Sequence, residues 1–421
     1  MNKSYSSFHK RTSSPSGGIL QIKVGLNFGE TTRPVGRLAS RERRIYFEYD
    51  AEFLTRNLEI SPLKLPLESG VKTFDPHLFE GLPGVFNDSL PDGWGRLLLD
   101  RYLRSQHVSP ENISALDRLA HVGVSGVGAL VYEPDYSGEG INERIDLDIL
   151  STQTQEVLNG EAEEILAELI ALNGSSAGAR PKAMIGVDKT RNNIIHGKQN
   201  SQEGYEPWIV KFANTSDGQD VGAIEYVYAL MAKEAGIEMA DTHLFPANKG
   251  AGYFASKRFD RDGQKRIHMH SICGLLHSDF RTPSLDYEDL MALTGILTRD
   301  IREVEKMFRL AVFNVLANNR DDHSKNFSFL MSEDGEWMLS PAYDLTFSSG
   351  PSGEQSTLVM GEGKNPSVEH LKQLGKEAKI SSAKINEAIN QTRHAVSQWK
   401  TLAQKYGVSK ANIKLIGEKI G

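Results

Sequence analysis

The stretch Asn319-Arg-Asp-Asp-His-Ser-Lys-Asn-Phe327 contains an aspartate, Asp321, followed five positions later by an asparagine, Asn326. This is the spacing of the catalytic loop of protein kinases, in which the aspartate accepts the substrate hydroxyl proton and the asparagine holds a magnesium ion. A carboxylate can orient and deprotonate a hydroxyl, and a neutral amide oxygen is a hard ligand that adds no repulsive charge. The same spacing also occurs by chance in polar loops, so its surroundings decide what it indicates.

The residues after this loop predict a hairpin that returns to a second carboxylate. Apolar residues at 327–331 and 337–339 flank Asp334-Gly335, a pair typical of tight turns. Such a hairpin carries the chain to Asp344 and brings it beside Asp321, as in kinases, where a second aspartate binds metal. The alternative role for Asp344 is a helix cap or a turn residue, because aspartate favours both.

Lys211 lies in the predicted strand Ile209-Val-Lys-Phe212, where it points away from the face that holds Val210 and Phe212. A lysine in an apolar strand is typical of the kinase lysine that pairs with the ATP phosphates. An exposed lysine on a half-buried strand is the alternative. Glu225, on the next predicted helix, is either the carboxylate that holds Lys211 or a surface glutamate.

The segment Gly174-Ser-Ser-Ala-Gly-Ala-Arg-Pro-Lys182 consists mostly of small residues. Small residues let backbone N–H groups approach phosphate oxygens, and Arg180 or Lys182 adds positive charge. The segment matches neither of the common glycine-rich nucleotide motifs, and a turn that ends a helix is the alternative. His323 and His270 have no partner at metal-ligand spacing, so we expect both to be structural or hydrogen-bonding residues.

The order of predicted elements indicates an α+β fold with two lobes and a cleft between them. Strands dominate up to about residue 257, and from about residue 285 the pattern is mainly helical. We divide the chain into four parts. The first two are a flexible tail at residues 1–18 and a small N-terminal α/β domain at residues 19–150. The nucleotide-binding strands, loop and hinge follow at residues 151–260, and a mainly helical C-terminal lobe at residues 261–421.

Composition restricts the environment of the protein. Its 421 residues contain no apolar run near the roughly 20 residues of a membrane helix. The single cysteine, Cys273, excludes an internal disulfide and a cysteine zinc site, so a reducing cytoplasm fits best. Residues 361–421 hold eleven Lys or Arg and five Asp or Glu, a net charge of +6, which leaves −13 for the rest of the total of −7. This segment is either a contact surface for an anionic partner or a solvated helical face.

Taken together, the motifs resemble the HipA family of toxin kinases from bacterial toxin–antitoxin systems, over a range from about Ile19 to residue 400. Phe86-Asn-Asp-Ser-Leu-Pro-Asp-Gly-Trp94 resembles the signature of the family's N-terminal domain. Residues 175–182 resemble its S-x-A-G-A-x-x-K loop, and Trp208-Ile-Val-Lys211 resembles its phosphate-contacting lysine strand. Lys257-Arg-Phe-Asp260 is similar to the hinge that contacts adenine through its backbone.

The resemblance implies an ATP- and Mg²⁺-dependent serine/threonine kinase with Asp321 as catalytic aspartate and with Asn326 and Asp344 as magnesium ligands. It also implies that Ser175 is autophosphorylated. The residues implied in ATP binding are Ala177, Gly178, Ala179, Arg180, Pro181, Lys182, Lys211, Lys257, Arg258, Phe259, His323, Asn326, Tyr343 and Asp344. The chain departs from the family pattern at Arg180, where Gln is common, at Asp322, where Gly or Ala is common, and at Lys257, where Glu is common.

The resemblance also implies partners: a translation factor such as an aminoacyl-tRNA synthetase as substrate, and a small helix-turn-helix antitoxin of the HipB type that binds operator DNA. In that complex the +6 segment would contact phosphates. Two alternatives are a weakly active corepressor partner of the antitoxin and a small-molecule kinase of related fold. The intact set of Lys211, Asp321, Asn326 and Asp344 favours the active protein kinase.

Overall fold

The structure is a computed structural model, and it describes residues 21–109, 112–137, 144–160, 166–173, 178–197, 203–282 and 284–421. The predicted tail at residues 1–18 lies outside these ranges, as do Ser175 and Ala177 of the predicted phosphate loop.

The N-terminal part of the chain is built on a five-stranded antiparallel sheet with the order β4-β3-β2-β1-β5. Its strands are β1 (Gln21–Asn27), β2 (Thr32–Arg41), β3 (Arg44–Tyr49), β4 (Lys72–Thr73) and β5 (Leu130–Glu133). Ile45, Phe47 and Tyr49 of β3 are buried while their neighbours are more exposed, as expected for a strand with one face on the core. The short helix α1 (Gly84–Asn87) and helix α3 (Ala115–Val122) add Phe86 and Leu116 to the core of this sheet.

A second five-stranded antiparallel sheet carries the predicted nucleotide strands, with the order β7-β6-β8-β10-β9. Its strands are β6 (Lys182–Asp188), β7 (Ile194–His196), β8 (Tyr205–Lys211), β9 (Thr242–Phe245) and β10 (Tyr253–Lys257). Strands β7, β6 and β8 are antiparallel neighbours, with β6 between β7 and β8.

Helices from the preceding region cover one face of this second sheet. They are α2 (Gly93–Ser105), α4 (Leu147–Asn159) and α5 (Leu166–Asn173). Trp94 and Leu98 of α2 share a core with Ile185 and Val210 of the sheet. Helix α2 therefore belongs structurally to the second sheet, and the boundary that we place at residue 150 falls within α4.

The C-terminal lobe is mainly helical, as predicted. Its helices are α7 (Ile272–Leu276), α8 (Tyr287–Thr298), α9 (Ile301–Leu316), α10 (Val368–Glu377), α11 (Ser382–Ser397), α12 (Trp399–Lys405) and α13 (Lys410–Ile420). Helix α8 begins at Tyr287 because Asp286 caps it, with Asp289 completing a reciprocal capping box. Helix α6 (Val221–Glu234) packs Val227, Tyr228 and Met231 into the core of this lobe and also contacts β9 and β10.

The predicted hairpin after the catalytic loop is confirmed as β14 (Ser328–Met331) and β15 (Trp337–Leu339). It pairs with β13 (His268–Ser271) in a three-stranded sheet, and a small ribbon, β11 (Arg261–Asp262) with β12 (Lys265–Arg266), precedes it. The sheets and the helical lobe together confirm the predicted α+β fold with two lobes.

Buried polar side chains connect the N-terminal domain to the C-terminal lobe. His270 lies between Asp88, 2.6 Å from its Nδ1, and Ser61, 3.0 Å from its Nε2. Asp88 also accepts hydrogen bonds from the backbone N–H and the hydroxyl of Ser271, at 2.7 and 2.6 Å. His270 and Ser61 are almost fully buried, so this Ser–His–Asp arrangement has no access for a substrate and is structural, as predicted for His270.

Candidate active site

The pairing of β6 with β8 brings two lysines face to face. Lys182 and Lys211 are direct partners in the antiparallel register, so their side chains lie on the same side of the sheet. Like charges in this position repel, and the pair therefore needs acidic partners. This register brings the predicted loop lysine and the predicted strand lysine together.

Lys211 contacts two carboxylates from distant parts of the chain. Its Nζ lies 2.5 Å from Oε1 of Glu225 on α6, and it also forms an ion pair with Asp344. The Glu225 side chain is only 3 % exposed, so it is not the surface residue of the alternative interpretation. The sequence left two roles open for Glu225, a partner of Lys211 or a surface glutamate. In the structure it is the partner of Lys211.

The charges of this cluster shift its pKa values in opposite directions. Burial alone would raise the pKa of Asp344, but the ammonium groups of Lys211 and Lys182 outweigh it and hold that pKa well below its usual range. Burial would lower the pKa of Lys211, and Asp344 and Glu225 reverse this, so the ammonium stays charged. The pKa of Lys182 is lowered, chiefly by burial and despite the attraction of Asp344.

Asp344 also has an unusual backbone conformation. Its φ of 59° lies in the left-handed region, which residues other than glycine seldom adopt. Strained backbone of this kind concentrates at functional sites, where the surrounding structure enforces it. Here the ion pair with Lys211 and the neighbouring hairpin hold the carboxylate in the cluster.

The catalytic-loop candidates lie next to this cluster. Asn326 donates a hydrogen bond from Nδ2 to the backbone oxygen of Asp321 at 2.7 Å, so its carbonyl oxygen is the atom it offers to a cation. The Asp321 side chain is 59 % exposed, and its Oδ1 lies 3.9 Å from Nε2 of His323. Partial burial raises the pKa of Asp321, His323 opposes this, and Asp344 raises the pKa further. An exposed carboxylate with a raised pKa is suited to accept a proton.

The described end of the predicted phosphate loop is attached to the N-terminal domain through Asp92. Its carboxylate accepts a hydrogen bond from the backbone N–H of Gly178 and forms an ion pair with Lys325 of the catalytic loop at 2.5 Å. Asp92 stands at the N-cap of α2 but does not cap that helix with its side chain. A Cβ atom at Gly93, whose φ is 44°, would lie 2.5 Å from the carbonyl oxygen of Gly178, so only glycine fits there.

Arg180 borders the same cluster. Its guanidinium is 3.2 Å from Asp217 and 3.9 Å from Glu225, which holds the side chain over the carboxylates that surround Lys211. Arg180 stands where the family pattern commonly has Gln, so this chain adds a positive charge at the predicted phosphate site.

Aromatic side chains lie between the hinge and the catalytic loop. The ring centroids of Phe259 and Tyr343 are 5.6 Å apart, and the Tyr343 hydroxyl donates to the backbone oxygen of Lys325 at 2.7 Å. Tyr343 is thereby held against the loop that carries Asp321. The two ring planes are inclined at 35° to each other, and aromatic rings are groups on which nucleobases stack.

The predicted hinge residues Lys257 and Arg258 form ion pairs outside the lysine cluster. The Lys257 side chain turns to Glu206, 2.7 Å away, and Arg258 forms a buried bidentate pair with Asp260 at 2.9 and 2.7 Å. Their backbone N–H groups already donate to Asp241 and Pro207. Neither side chain joins the cluster around Lys211, and their part in ATP binding stays a prediction.

Two family models match the chain. Residues 30–133 match the model of the HipA N-terminal domain, and residues 174–399 match that of the HipA-like C-terminal domain. The second match alone covers more than half of the chain. The chain belongs to the HipA family.

A solved HipA structure shares the fold of this HipA-family chain. It is HipA of Shewanella oneidensis MR-1, in a complex with HipB and operator DNA, and the likeness covers 94% of both chains with a TM-score of 0.67 and 15% identity. Two relatives come from Sinorhizobium fredii. "Putative kinase Y4mE" is 25% identical over 368 residues, which are 79% of this chain and 83% of the relative. "Putative kinase Y4dM" is 26% identical over 193 residues, 42% and 44% of the two chains.

Residues that sequence reasoning did not assign also build this site. They are Asp92, Lys325, Asp217 and the buried Asp322, which accepts a hydrogen bond from the Tyr287 hydroxyl. Within the described ranges, no helix has the length and apolarity needed to span a membrane.

Proposed function

We propose that this HipA-family protein is an ATP- and Mg²⁺-dependent serine/threonine protein kinase that acts as the toxin of a toxin–antitoxin module. The observation that carries this proposal is the position of Lys211 between Glu225 and Asp344. In protein kinases, a strand lysine paired with a helix glutamate and a metal-binding aspartate forms the assembled phosphate site. The kinase names of the two Sinorhizobium fredii relatives point to the same activity.

In this proposal the cations of the cluster bind the ATP phosphates. Lys211 and Lys182 project from adjacent strands, and Arg180 approaches from the loop. These groups compensate phosphate charge in a partly buried site, where electrostatic attraction is stronger than in water. The Phe259 and Tyr343 rings supply the apolar surface for adenine.

The oxygen donors suit a magnesium ion. Asp344 stays ionised, because neighbouring lysines depress its pKa, and Asn326 turns its carbonyl oxygen away from the hydrogen bond to Asp321. Mg²⁺ prefers hard oxygen ligands and is usually bound by one or two protein groups together with phosphates. When bound, the ion neutralises the charge that develops on the phosphates.

Asp321 is the proton acceptor in this mechanism. Its exposed carboxylate can orient a serine or threonine hydroxyl from an incoming protein and accept its proton as the phosphoryl group is transferred. His323, beside it, opposes the rise in the pKa of Asp321 that burial and Asp344 cause.

Transfer of label from radiolabelled Mg-ATP to protein tests the activity directly. Purified protein is incubated with a whole-cell lysate whose own kinases have been heat-inactivated, and labelled serine or threonine is identified by mass spectrometry. We expect a small number of labelled acceptors, with a translation factor such as an aminoacyl-tRNA synthetase among them. Absence of labelled protein at millimolar ATP would reject the kinase proposal, and label on a small molecule would favour the small-molecule kinase.

The metal assignment predicts that ATP affinity depends on magnesium. Calorimetric titration with ATP should show much tighter binding with Mg²⁺ than with a chelator, because Asn326 and Asp344 contribute only when the ion links them to phosphate. Asp344→Ala should remove this difference. Equal ATP affinity of the unmodified protein under both conditions would show that these two residues are not magnesium ligands.

Ser175 is predicted to be an autophosphorylation site that switches the kinase off. It precedes Gly178 and Arg180, which border the lysine cluster, and a phosphate there adds about −1.5 to −2 charges at neutral pH. That charge would repel ATP phosphates and compete for Arg180 and Lys182. Intact-mass and fragment spectra after incubation with Mg-ATP locate the phosphate, and Ser176 is the adjacent competitor. A Ser175 phosphate that leaves activity unchanged would contradict the switch.

A helix-turn-helix antitoxin of the HipB type is the proposed partner, and operator DNA is reached through that complex. The solved relative was crystallised with HipB and its operator DNA. In this chain the +6 segment at residues 361–421 folds into α10 to α13 and offers exposed lysines to phosphates. Coexpression with a small helix-turn-helix protein encoded beside this gene, followed by size-exclusion chromatography, measures the association. Separate elution would argue against it.

A further inference from the structure

Asp322, next to the candidate base, is buried and accepts four hydrogen bonds. Its exposed fraction is 1 %. Oδ2 accepts from the Tyr287 hydroxyl at 2.7 Å and from Nε2 of Gln355 at 3.0 Å. Oδ1 accepts from the backbone N–H groups of Ser356 and Thr357 at 2.9 and 3.3 Å. Three of these four donors belong to residues 345–363, which follow Asp344 and which we name the post-Asp344 segment.

Further contacts join the same segment to the catalytic loop. Thr357 donates from its hydroxyl to the backbone oxygen of Asp322 at 2.5 Å, and Ser356 donates to that of Arg320 at 2.9 Å. Gly350 approaches so closely that a Cβ atom would lie 2.6 Å from Cβ of Arg320. Asp322 is therefore the centre of a continuous contact between residues 318–322 and the post-Asp344 segment.

The fourth donor connects Asp322 to the helical core. The Tyr287 hydroxyl accepts from Nδ2 of Asn314 at 2.9 Å, and Asn314 in turn accepts from Nδ2 of Asn319 at 2.9 Å. Tyr287 begins α8 and Asn314 lies near the end of α9, both in the interior. The carboxylate thus lies between buried residues of α8 and α9 and the post-Asp344 segment.

The chemistry of the position explains why a carboxylate stands there. An ionised carboxylate accepts four hydrogen bonds at two oxygens, whereas an asparagine offers one oxygen and presents two donors of its own. Burying a charge is costly unless every lone pair is satisfied, so a residue with a purely space-filling role would be apolar. Burial accordingly raises the pKa of Asp322 to about 6, against the opposing effect of its donors.

We propose that Asp322 is a positioning residue: it fixes the post-Asp344 segment to the catalytic loop and thereby holds Asp321 in place for transfer. In many protein kinases the segment after the metal-binding aspartate is ordered by a phosphate that pairs with arginine. In this chain a built-in carboxylate supplies the negative charge from the side of the catalytic loop. The segment is therefore ordered without modification. The catalytic part of this inference rests on the proposed kinase activity.

Asp322→Asn tests the proposal with two independent measurements. The transfer rate from radiolabelled Mg-ATP to lysate protein at saturating ATP should fall about 10- to 100-fold, because displacing a catalytic group by about 1 Å has effects of this order. The Kd of Mg-ATP, measured by calorimetry, should stay within about twofold, because Asp322 contacts none of the cations of the nucleotide cluster. Amide hydrogen exchange at Ser356 and Thr357 should accelerate.

Two further variants make the result decisive. Gln355→Met removes one donor from the segment while leaving Asp322 unchanged, and it should give the same pattern with a smaller loss, about two- to tenfold. Asp334→Asn makes the same chemical change as Asp322→Asn at an exposed turn and should behave as the unmodified protein. If Asp322→Asn fails to fold, Gln355→Met decides in its place.

The outcomes separate this inference from the proposed function. Unchanged amide exchange at Ser356 and Thr357, or a transfer rate within about twofold of the unmodified protein, would overturn the role of Asp322. A parallel loss of ATP affinity would assign it to general stability instead. Absence of transfer by the unmodified protein would reject the kinase activity, while hydrogen exchange would still test the attachment of the segment.

Discussion

Asp321→Asn is expected to reduce phosphoryl transfer by about 10²–10⁴-fold while the fold and ATP binding persist. The Asp321 side chain is exposed, so its replacement by an amide of the same shape leaves no buried group unpaired. The amide can still orient a hydroxyl but cannot accept its proton. Growth inhibition on overexpression should disappear with the activity.

The pH dependence of the rate provides a second measurement for this variant. The base must be ionised, and the pKa of Asp321 is raised above its usual value of 3.8 by partial burial and by the neighbouring Asp344. Transfer by the unmodified protein should therefore fall as the pH decreases through that raised pKa, at a higher pH than for an ordinary aspartate. Asp321→Asn should lose this dependence, because the amide does not titrate.

Asp262→Asn is the matched control, since Asp262 is an exposed residue of the small β11–β12 ribbon. It should match the unmodified protein in rate, ATP affinity and pH profile. Near-normal transfer by Asp321→Asn would remove Asp321 from the mechanism and leave His323 as the next candidate, because its ring lies 3.9 Å away.

Local patterns in the sequence predicted most of the fold that positions this site. The alternation around Lys211 and the Asp334-Gly335 turn each involve a few neighbouring residues, and each appears as predicted, in β8 and in the β14–β15 hairpin. Periodicity of side chains and turn chemistry act over short distances, so a single sequence displays them directly.

The contacts that join these elements could not be predicted in the same way. Asp92 reaches Gly178 and Lys325 across 86 and 233 residues, and its position before a helix suggests only an N-cap. Asp322 gives no local sign that its carboxylate turns inward to Tyr287 and Gln355. Both roles depend on the packing of distant segments, which propensity and spacing do not contain.

The charge balance of the site explains why the departure at Arg180 is compatible with the family fold. Lys182, Lys211 and Arg180 face Glu225, Asp344 and Asp217, so the additional guanidinium has an acidic partner, Asp217, at 3.2 Å. In the proposed kinase, the positive groups exchange part of this pairing for phosphate when ATP binds. Arg180 is therefore stabilised in the free protein by the same charges that keep it near the phosphate site.

Lys211→Met is expected to reduce transfer by about 10²–10³-fold, the loss that follows removal of one group that stabilises developing charge. Burial opposes the charge of Lys211, but Asp344 and Glu225 raise its pKa, so an ammonium ion occupies the site at neutral pH. Methionine has a similar length without the charge. It should weaken the binding of ATP and leave the strand β8 in place. Lys233→Met, on the outer part of α6, is the control and should be neutral.

Lys211→Met should also have a lower free energy of unfolding. A loss of transfer alone therefore does not separate a catalytic role of Lys211 from a structural one. Glu225 is buried with Lys211 as its nearest cation, and breaking a buried pair by removing one partner costs about 3–5 kcal/mol in the free energy of unfolding. The double variant Lys211→Met with Glu225→Gln removes the unpaired carboxylate as well. Denaturant unfolding should show that it recovers much of the lost stability, while transfer remains at the level of Lys211→Met. Recovery of transfer together with stability would mean that Lys211 only balances Glu225 and does not act on the phosphates.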